Sequence, residues 1–151
     1  MGEINLKFEI DSYGKINLAL DVLHKREDGY HEIRSIMQQI SLSDSLEFKE
    51  QHTGVRIQCD NGNVPLNEDN LIFKAWDKMS KIVGTKAGIS VRINKNIPVA
   101  AGLAGGSGNG SATLLALNHI WGLKLELREL MEIGRTIGAD IPFCLLGGTA
   151  L

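Results

Sequence analysis

The chain has 151 residues, of which 43% are hydrophobic and 23% charged, and its formal net charge is -2. This length and composition are sufficient for the core of one domain. The weak negative charge gives no bulk attraction to nucleic acid or to an anionic membrane. The chain has no run of ~18 apolar residues such as a membrane-spanning helix needs, and its N-terminus lacks the basic start and apolar run of a signal peptide. We therefore expect a cytoplasmic protein with no nucleic-acid or membrane partner.

The two cysteines, Cys59 and Cys144, lie far apart in apolar surroundings. Structural disulfides are rare in a reducing cytosol. We therefore expect both cysteines to be free thiols.

The first half of the chain predicts β-strands. From Leu6 onward, apolar residues alternate with polar ones in five segments, at residues 6–10, 16–22, 36–42, 46–48 and 55–59. Turn signals at Ser43 and Asp44, at residues 60–63, and at Pro65 and Asn67 separate some of these segments. Alternation of this kind predicts sheets with one covered face.

The next segments predict helices around a short strand. A 3.6-residue stripe indicates a helix over residues 72–83, with capping side chains at residues 67–70; the stripe consists of Ile72, Ala75, Trp76, Met79, Ile82 and Val83. Residues 89–93 predict a strand. SATLLALNHIW, from Ser111, predicts a central, buried helix, and a more amphipathic helix ends near Gly138.

The last segment, ADIPFCLLGGTAL, predicts a turn followed by a strand. Because the chain stops inside this apolar segment, we expect it to be cut from a longer protein. Together the elements predict one α+β domain.

A glycine-rich segment follows the strand at residues 89–93. Residues 98–118 read PVAAGLAGGSGNGSATLLALN, with five glycines from Gly102 to Gly110. Neither the P-loop pattern nor the Rossmann pattern fits. A strand, a glycine loop and a helix N-terminus nevertheless present free backbone N–H groups and a positive dipole end to an anion. Two interpretations stay open here: a phosphate site in which the Ser107 hydroxyl contacts phosphate or Mg²⁺, and a simple turn with Ser107 as N-cap.

Three further features are ambiguous when each is taken alone. Asp140, in GADIPF, is either a cleft-lining acid or an ordinary turn residue. Lys15, in GKINLAL, is either functional or a surface lysine at a strand edge. The DGYH segment, residues 28–31, is either a tight turn or a loop that offers an aromatic ring and an imidazole to a planar ligand.

In combination the motifs are specific. GKINLAL, REDGYHEI, EDNLI, INKNIPVAAGLAGGS and IGADIPF occur in this order along nearly the whole chain. The set resembles the 4-diphosphocytidyl-2-C-methyl-D-erythritol kinases of the GHMP kinase superfamily. This resemblance implies an N-terminal GHMP kinase domain over residues 1–151, similar to domain 2 of ribosomal protein S5, with a mixed sheet covered by helices. Such kinases are nearly twice as long, so the resemblance also implies that the C-terminal domain is absent.

The resemblance implies phosphorylation of the substrate 2-hydroxyl by ATP with Mg²⁺, by a monomer or homodimer. It assigns Asp140 as the base and Lys15 as the neighbouring cation. Substrate-binding residues would be Tyr30, His31 and Asn17, and Ser107 would contact the metal. The implied ATP-binding residues are Asn70, Leu71, Lys95, Pro98, Gly102, Leu103, Ala104, Gly105, Gly106 and Ser107. The alternatives are another small-molecule GHMP kinase, a nucleotide- or RNA-binding module without catalysis, and an inactive, self-associating fragment.

The chain departs from the family pattern at two places. The family usually follows GGS with a small residue, Asp or Asn, and then alanines, whereas this chain has GNGS at residues 108–111. Glycine in a helix costs about 0.5–1 kcal/mol relative to alanine, so we expect the helix to start later, after a longer and looser loop. Tyr13 and Gly14 replace a common Pro-Ala pair before Lys15, so we expect Lys15 to be held less rigidly.

Overall fold

The computed structural model describes residues 7–151. Leu6, the first apolar residue of the predicted N-terminal strand, lies outside the described residues. The elements are, in chain order, β1 (Lys7–Lys25), β2 (His31–Gln51), β3 (Val55–Cys59), α1 (Leu71–Val83), β4 (Gly88–Asn94), α2 (Gly105–Ile120), α3 (Leu127–Arg135), α4 (Ile141–Leu146) and β5 (Thr149–Ala150).

All five strands belong to one mixed sheet, which has the order β1-β2-β4-β3, with β5 paired to β2. Strands β1, β2 and β4 pair antiparallel, whereas β3 lies parallel to β4. Alternate residues of β2 and β4, such as Phe48 and Val91, pack with Ile72, Leu114 and Leu117 of the helices in one buried cluster. The predicted α+β class, a mixed sheet covered by helices, is confirmed.

The predicted N-terminal strands are parts of two long strands, β1 and β2, which form a hairpin. The expected turn at Ser43 and Asp44 is wrong, because β2 continues through both residues. Asp44 fits inside a buried strand because its carboxylate accepts hydrogen bonds from the backbone N–H groups of Asn96 and Ile97. Beyond Ile16, the hairpin carries exposed apolar side chains, so the expected covered face is absent there.

The predicted helix α1 and its N-terminal cap are both confirmed. The Ile72 N–H donates to Asn70 Oδ1 at 2.9 Å, and Gly84 closes the C-terminus with a φ of 75°. The predicted apolar stripe is wrong at its end, since Ile82 and Val83 are exposed. The buried side of this helix ends at Met79 and Ser80.

Helix α2 begins at Gly105, so the expected late start and longer loop are wrong. The glycines serve close packing: a Cβ at Gly108 would collide with the Ser12 hydroxyl, and one at Gly110 would lie 3.1 Å from Leu71 Cβ. These contacts offset the low helix propensity of glycine. The N-cap position is Ala104, without a side-chain hydrogen bond, so Ser107 is not the N-cap.

The C-terminal segment corrects another prediction. The amphipathic helix is found as α3, but residues 141–146, in the segment predicted to be a turn followed by a strand, form α4. Pro142 lies in the first turn of α4, where proline favours a helix because its fixed φ suits that position. Only Thr149–Ala150 forms a strand.

Cys59 and Cys144 are free thiols, as expected. Within residues 7–151, no helix is long and apolar enough to cross a membrane.

Gly108→Ala should lower the free energy of unfolding by about 1–3 kcal/mol, because the added methyl group overpacks the contact between α2 and β1. The matched control is Gly106→Ala in the same helix, where a Cβ would have no neighbour within 4 Å. That substitution should stabilise the protein by about 0.5–1 kcal/mol. Urea unfolding of both variants measures the difference. Equal stability of the two variants would contradict the packing explanation.

Candidate active site

A cavity of about 430 Å³ lies where β1, the N-termini of α1 and α2, and the start of α4 meet. Its volume is within the range of small-molecule sites, ~300–1,000 Å³. Lys15 and Asp140 both line it. So do all the predicted ATP-binding residues, which are Asn70, Leu71, Lys95, Pro98, Gly102, Leu103, Ala104, Gly105, Gly106 and Ser107.

The glycine-rich segment consists of a loop and a helix turn. The backbone φ angle is positive at Ala100 (58°), Gly102 (75°) and Ala104 (57°), but not at the two residues between them. Left-handed residues at every second position of a loop are a feature of concave backbone N–H sites that favour an anion. Two of these residues are alanines, for which the left-handed conformation costs about 1–2 kcal/mol. The loop therefore keeps a strained shape that suits anion binding.

The first turn of α2 continues this surface. The first hydrogen bond of the helix joins the Gly108 N–H to the Ala104 carbonyl at 2.8 Å. The N–H groups of Gly105, Gly106 and Ser107 precede that bond and carry the positive end of the helix dipole. Loop and helix turn therefore form one wall of the cavity, which has the geometry of a phosphate site.

Lys15 is held against this wall by an irregularity in the hairpin. The pairing of β1 with β2 shifts between Tyr13 and Lys15, and such irregularities redirect side chains. The Lys15 N–H donates to the Leu103 carbonyl at 2.9 Å, which ties β1 to the glycine loop. Only 8% of the Lys15 side chain is exposed, so the interpretation as a surface lysine is wrong.

Asp140 lies opposite Lys15, at the N-cap position of α4. Its Oδ2 is 4.0 Å from Lys15 Nζ, and 40% of its side chain is exposed. Burial, and then the charge of Asp140, raises the pKa of the neighbouring Cys144 to about 12, so this cysteine stays protonated at neutral pH. The site thus presents an accessible carboxylate beside a buried ammonium group, without a thiolate nucleophile.

The predicted substrate-binding residues lie away from this cavity. Tyr30 is 75% exposed at the turn that joins β1 and β2, and its N–H donates to Asp28 Oδ1 at 3.1 Å. His31 begins β2 beside it and is exposed. Asn17 is exposed on β1 and accepts a hydrogen bond from Ser35 Oγ at 3.0 Å. None of the three lines the cavity.

Several residues of the site were missed by sequence reasoning. Val64, Pro65 and Asn109 line the cavity. Asp44, just outside it, binds Lys95 at 2.6 Å. A signal for Asp44 existed, because the strand alternation places it on the same face as Leu46 and Phe48. A carboxylate on a buried face requires a partner.

Two of the predicted ATP-binding side chains already bind other groups of the protein. The Asn70 amide caps α1 and donates to the Pro65 carbonyl at 2.7 Å, and the Lys95 ammonium is paired with Asp44. In the described part of the chain, no group of three or more His, Cys, Asp or Glu side chains could hold a metal. Ser107, the predicted metal contact, lies in the first turn of α2 at the cavity wall.

Comparisons with known proteins identify relatives of this chain. Residues 70–148 match the family model "GHMP kinases N terminal domain". The chain is 49% identical over 97% of its length to a 4-diphosphocytidyl-2-C-methyl-D-erythritol kinase of Caldanaerobacter subterraneus subsp. tengcongensis, of which it covers 50%. It is 51% identical over its whole length to one of Alkaliphilus oremlandii, of which it covers 51%. The chain thus spans about half the length of these curated relatives.

Solved structures agree with this relationship. A crystal structure of 4-(cytidine 5'-diphospho)-2C-methyl-D-erythritol kinase superposes with a TM-score of 0.81 at 35% identity, over 95% of this chain and 50% of that one. Homoserine kinase from Cytophaga hutchinsonii, at 18% identity, has a TM-score of 0.71 over 99% of this chain and 49% of that one, and shows the shared fold. The chain, with its glycine-rich loop and its Lys15–Asp140 pair, therefore belongs to the GHMP kinase family, whose N-terminal domain it matches.

Proposed function

We propose that this chain is the N-terminal, ATP-binding half of a 4-diphosphocytidyl-2-C-methyl-D-erythritol kinase, which phosphorylates the 2-hydroxyl of that substrate in isoprenoid biosynthesis. The observation that carries the proposal is the position of Asp140 and Lys15, 4.0 Å apart, in the same cavity as the anion-binding loop. Relatives whose sequences are about half identical to this chain are named for this kinase, and their names support the choice of substrate.

The proposed reaction uses the two side chains in different roles. An alcohol is a weak nucleophile at neutral pH, and a positioned carboxylate that accepts its proton contributes ~10²–10⁴ in rate. Asp140, which is partly exposed, accepts that proton. The ammonium of Lys15 stabilises the negative charge that develops on the oxygen. Phosphoryl transfer otherwise requires mainly positioning and charge neutralisation.

The cavity suits ATP at its phosphate end. Three N–H groups at the start of α2, and those of the loop at residues 100–104, provide donors for phosphate oxygens. Mg²⁺ is usually held by one or two carboxylates together with substrate phosphates and water. The Ser107 hydroxyl, at the cavity wall, would hold the ion together with the phosphates, and the ion would neutralise phosphate charge when bound.

The nucleoside end of the substrate needs a second half of the enzyme. Tyr30, His31 and Asn17 are the proposed contacts for the cytidyl group, and all three are exposed. The same hairpin exposes Leu18, Val22 and further apolar side chains, which are typical of a surface that another domain covers. Because the relatives are twice as long, we propose that their C-terminal half packs on this hairpin and completes the substrate site.

We propose a cytoplasmic monomer or homodimer that binds small molecules, with neither a nucleic-acid nor a membrane partner. The RNA-binding alternative has less support, because the two lysines at the cavity, Lys15 and Lys95, each lie beside a carboxylate. Phosphate backbones are bound by lysines and arginines that are available to neutralise them.

The full-length enzyme that contains this chain should release ADP from ATP in the presence of 4-diphosphocytidyl-2-C-methyl-D-erythritol. Homoserine and mevalonate, tested at the same concentrations, should give only the background rate. A coupled ADP-release assay makes this comparison. Turnover of homoserine or mevalonate, without turnover of the cytidyl substrate, would assign the chain to another GHMP kinase.

Asp140→Asn should lower kcat by about 10²–10⁴, because the amide cannot accept the hydroxyl proton. Its neutral side chain has nearly the same shape, so the dissociation constant of ATP should change little. Single-turnover kinetics and nucleotide titration separate the two effects. Near-normal turnover would exclude Asp140 as the base.

Gly106→Ala should weaken ATP binding about tenfold, because its Cβ obstructs the approach of phosphate to the backbone. This loss should occur although the same substitution stabilises α2. Gly62→Ala, in an exposed turn where a Cβ also meets nothing within 4 Å, is the matched control and should bind ATP normally. Titration with a non-hydrolysable ATP analogue provides the measurement. Unchanged affinity in Gly106→Ala would leave this turn without a role in phosphate binding.

A further inference from the structure

A second Lys–Asp pair lies beneath the cavity wall that the glycine-rich loop and the first turn of α2 form. Lys95 Nζ and Asp44 Oδ2 are 2.6 Å apart, and their side chains are 6% and 0% exposed. The other oxygen of Asp44 accepts hydrogen bonds from the N–H groups of Asn96 and Ile97, at 2.7 and 2.8 Å. One carboxylate of β2 thus holds the side chain and the backbone of the segment that leads from β4 into the glycine loop.

Asn109 joins helix α2 to the same carboxylate. The end of its side-chain amide that points at this carboxylate lies among acceptors, so hydrogen bonding assigns the amide nitrogen to that end. It donates to Asp44 Oδ2 at 3.1 Å and to the Gly105 carbonyl at 3.2 Å, and it lies 3.2 Å from Ser12 Oγ. The amide therefore connects the first turn of α2 with β1 and β2.

This polar group lies directly behind the first turn of α2. A Cβ at Gly105 would be only 2.7 Å from Lys95 Nζ and 3.0 Å from Ile97 Cγ2. Lys95, Gly105 and Asn109 line the cavity, whereas Asp44 does not. Asp44 can therefore act on a ligand only through its partners.

A buried ammonium beside a helix N-terminus is unfavourable unless an acid compensates its charge. Asp44 provides that compensation at 2.6 Å. Its remaining hydrogen bonds go to both ends of the loop, at residues 96–97 before the loop and at Asn109 after it. These two anchors flank residues 100–104, where φ is positive at Ala100, Gly102 and Ala104.

We propose that Asp44 is a positioning residue for the nucleotide: through Lys95, Asn109 and the backbone at residues 96–97, it fixes the phosphate-binding wall. This inference rests on the proposed function. The ligand concerned is the triphosphate of ATP; the proposed substrate contacts, Tyr30, His31 and Asn17, do not line the cavity, so substrate binding is expected to be independent of Asp44.

The test uses the full-length enzyme with Asp44→Asn, which keeps the shape of the side chain and removes its charge. The dissociation constant of a non-hydrolysable ATP analogue should rise about tenfold or more, whereas that of the cytidyl substrate should stay within about twofold. The control is Asp77→Asn on α1. Asp77 binds Lys81 at the same 2.6 Å, but on the exposed surface, and its loss should change neither constant.

Asn109→Ala provides a second measurement should Asp44→Asn fail to fold. It removes one link between Asp44 and α2, so it should weaken the ATP analogue about threefold to tenfold, again without affecting the substrate. A merely structural role for Asp44 would instead lower the affinity for both ligands together. That result, or an ATP affinity that is unchanged or tighter in both variants, overturns the inference. A wild-type enzyme that binds no ATP would contradict the proposed function instead.

Discussion

Helix α2 packs so closely on β1 that a side chain at Gly108 would collide with the Ser12 hydroxyl. The rest of the site depends on this contact. It brings the first turn of α2 next to the strand position of Lys15, and the Lys15 N–H then reaches the Leu103 carbonyl. Gly110 allows the same helix to approach α1 and α4, and Asp140 begins α4. One closely packed helix therefore determines where the glycine-rich wall of the cavity, Lys15 and Asp140 meet.

The sequence predicted the regular parts of the fold because their patterns are local. The stripe of α1 and its Asn70 cap could be recognised within one segment, and so could the alternation in β3 and β4. The start of α2 could not, because glycine propensity opposes a helix whereas the packing that favours it comes from Ser12 and Leu71, distant in sequence. Residues 141–146 were misassigned for a related reason: a short apolar run fits a buried strand or a buried helix equally well.

The candidate site shows the same division. Lys15 and Asp140 were each ambiguous alone; their place among the family motifs assigned both to one site, and the structure places them 4.0 Å apart. Asp44 was taken as a turn residue, since serine and aspartate are common in turns. Its partners, Lys95 and Asn109, are 51 and 65 positions further along the chain. Only the folded chain shows that these groups share one buried cluster.

The two Lys–Asp pairs, one facing the cavity and one behind its wall, differ in ways that suggest different roles. Asp44 and Lys95 are in direct contact, fully or almost fully buried, and the acid is saturated with hydrogen bonds. Such a group keeps its geometry and has no free lone pair to accept a substrate proton. Lys15 and Asp140 are separated by 4.0 Å, and the acid is 40% exposed, so an oxygen of a ligand has access to both. The closed pair is suited to holding the wall of the site and the open pair to chemistry, because only the open pair can still change its partners.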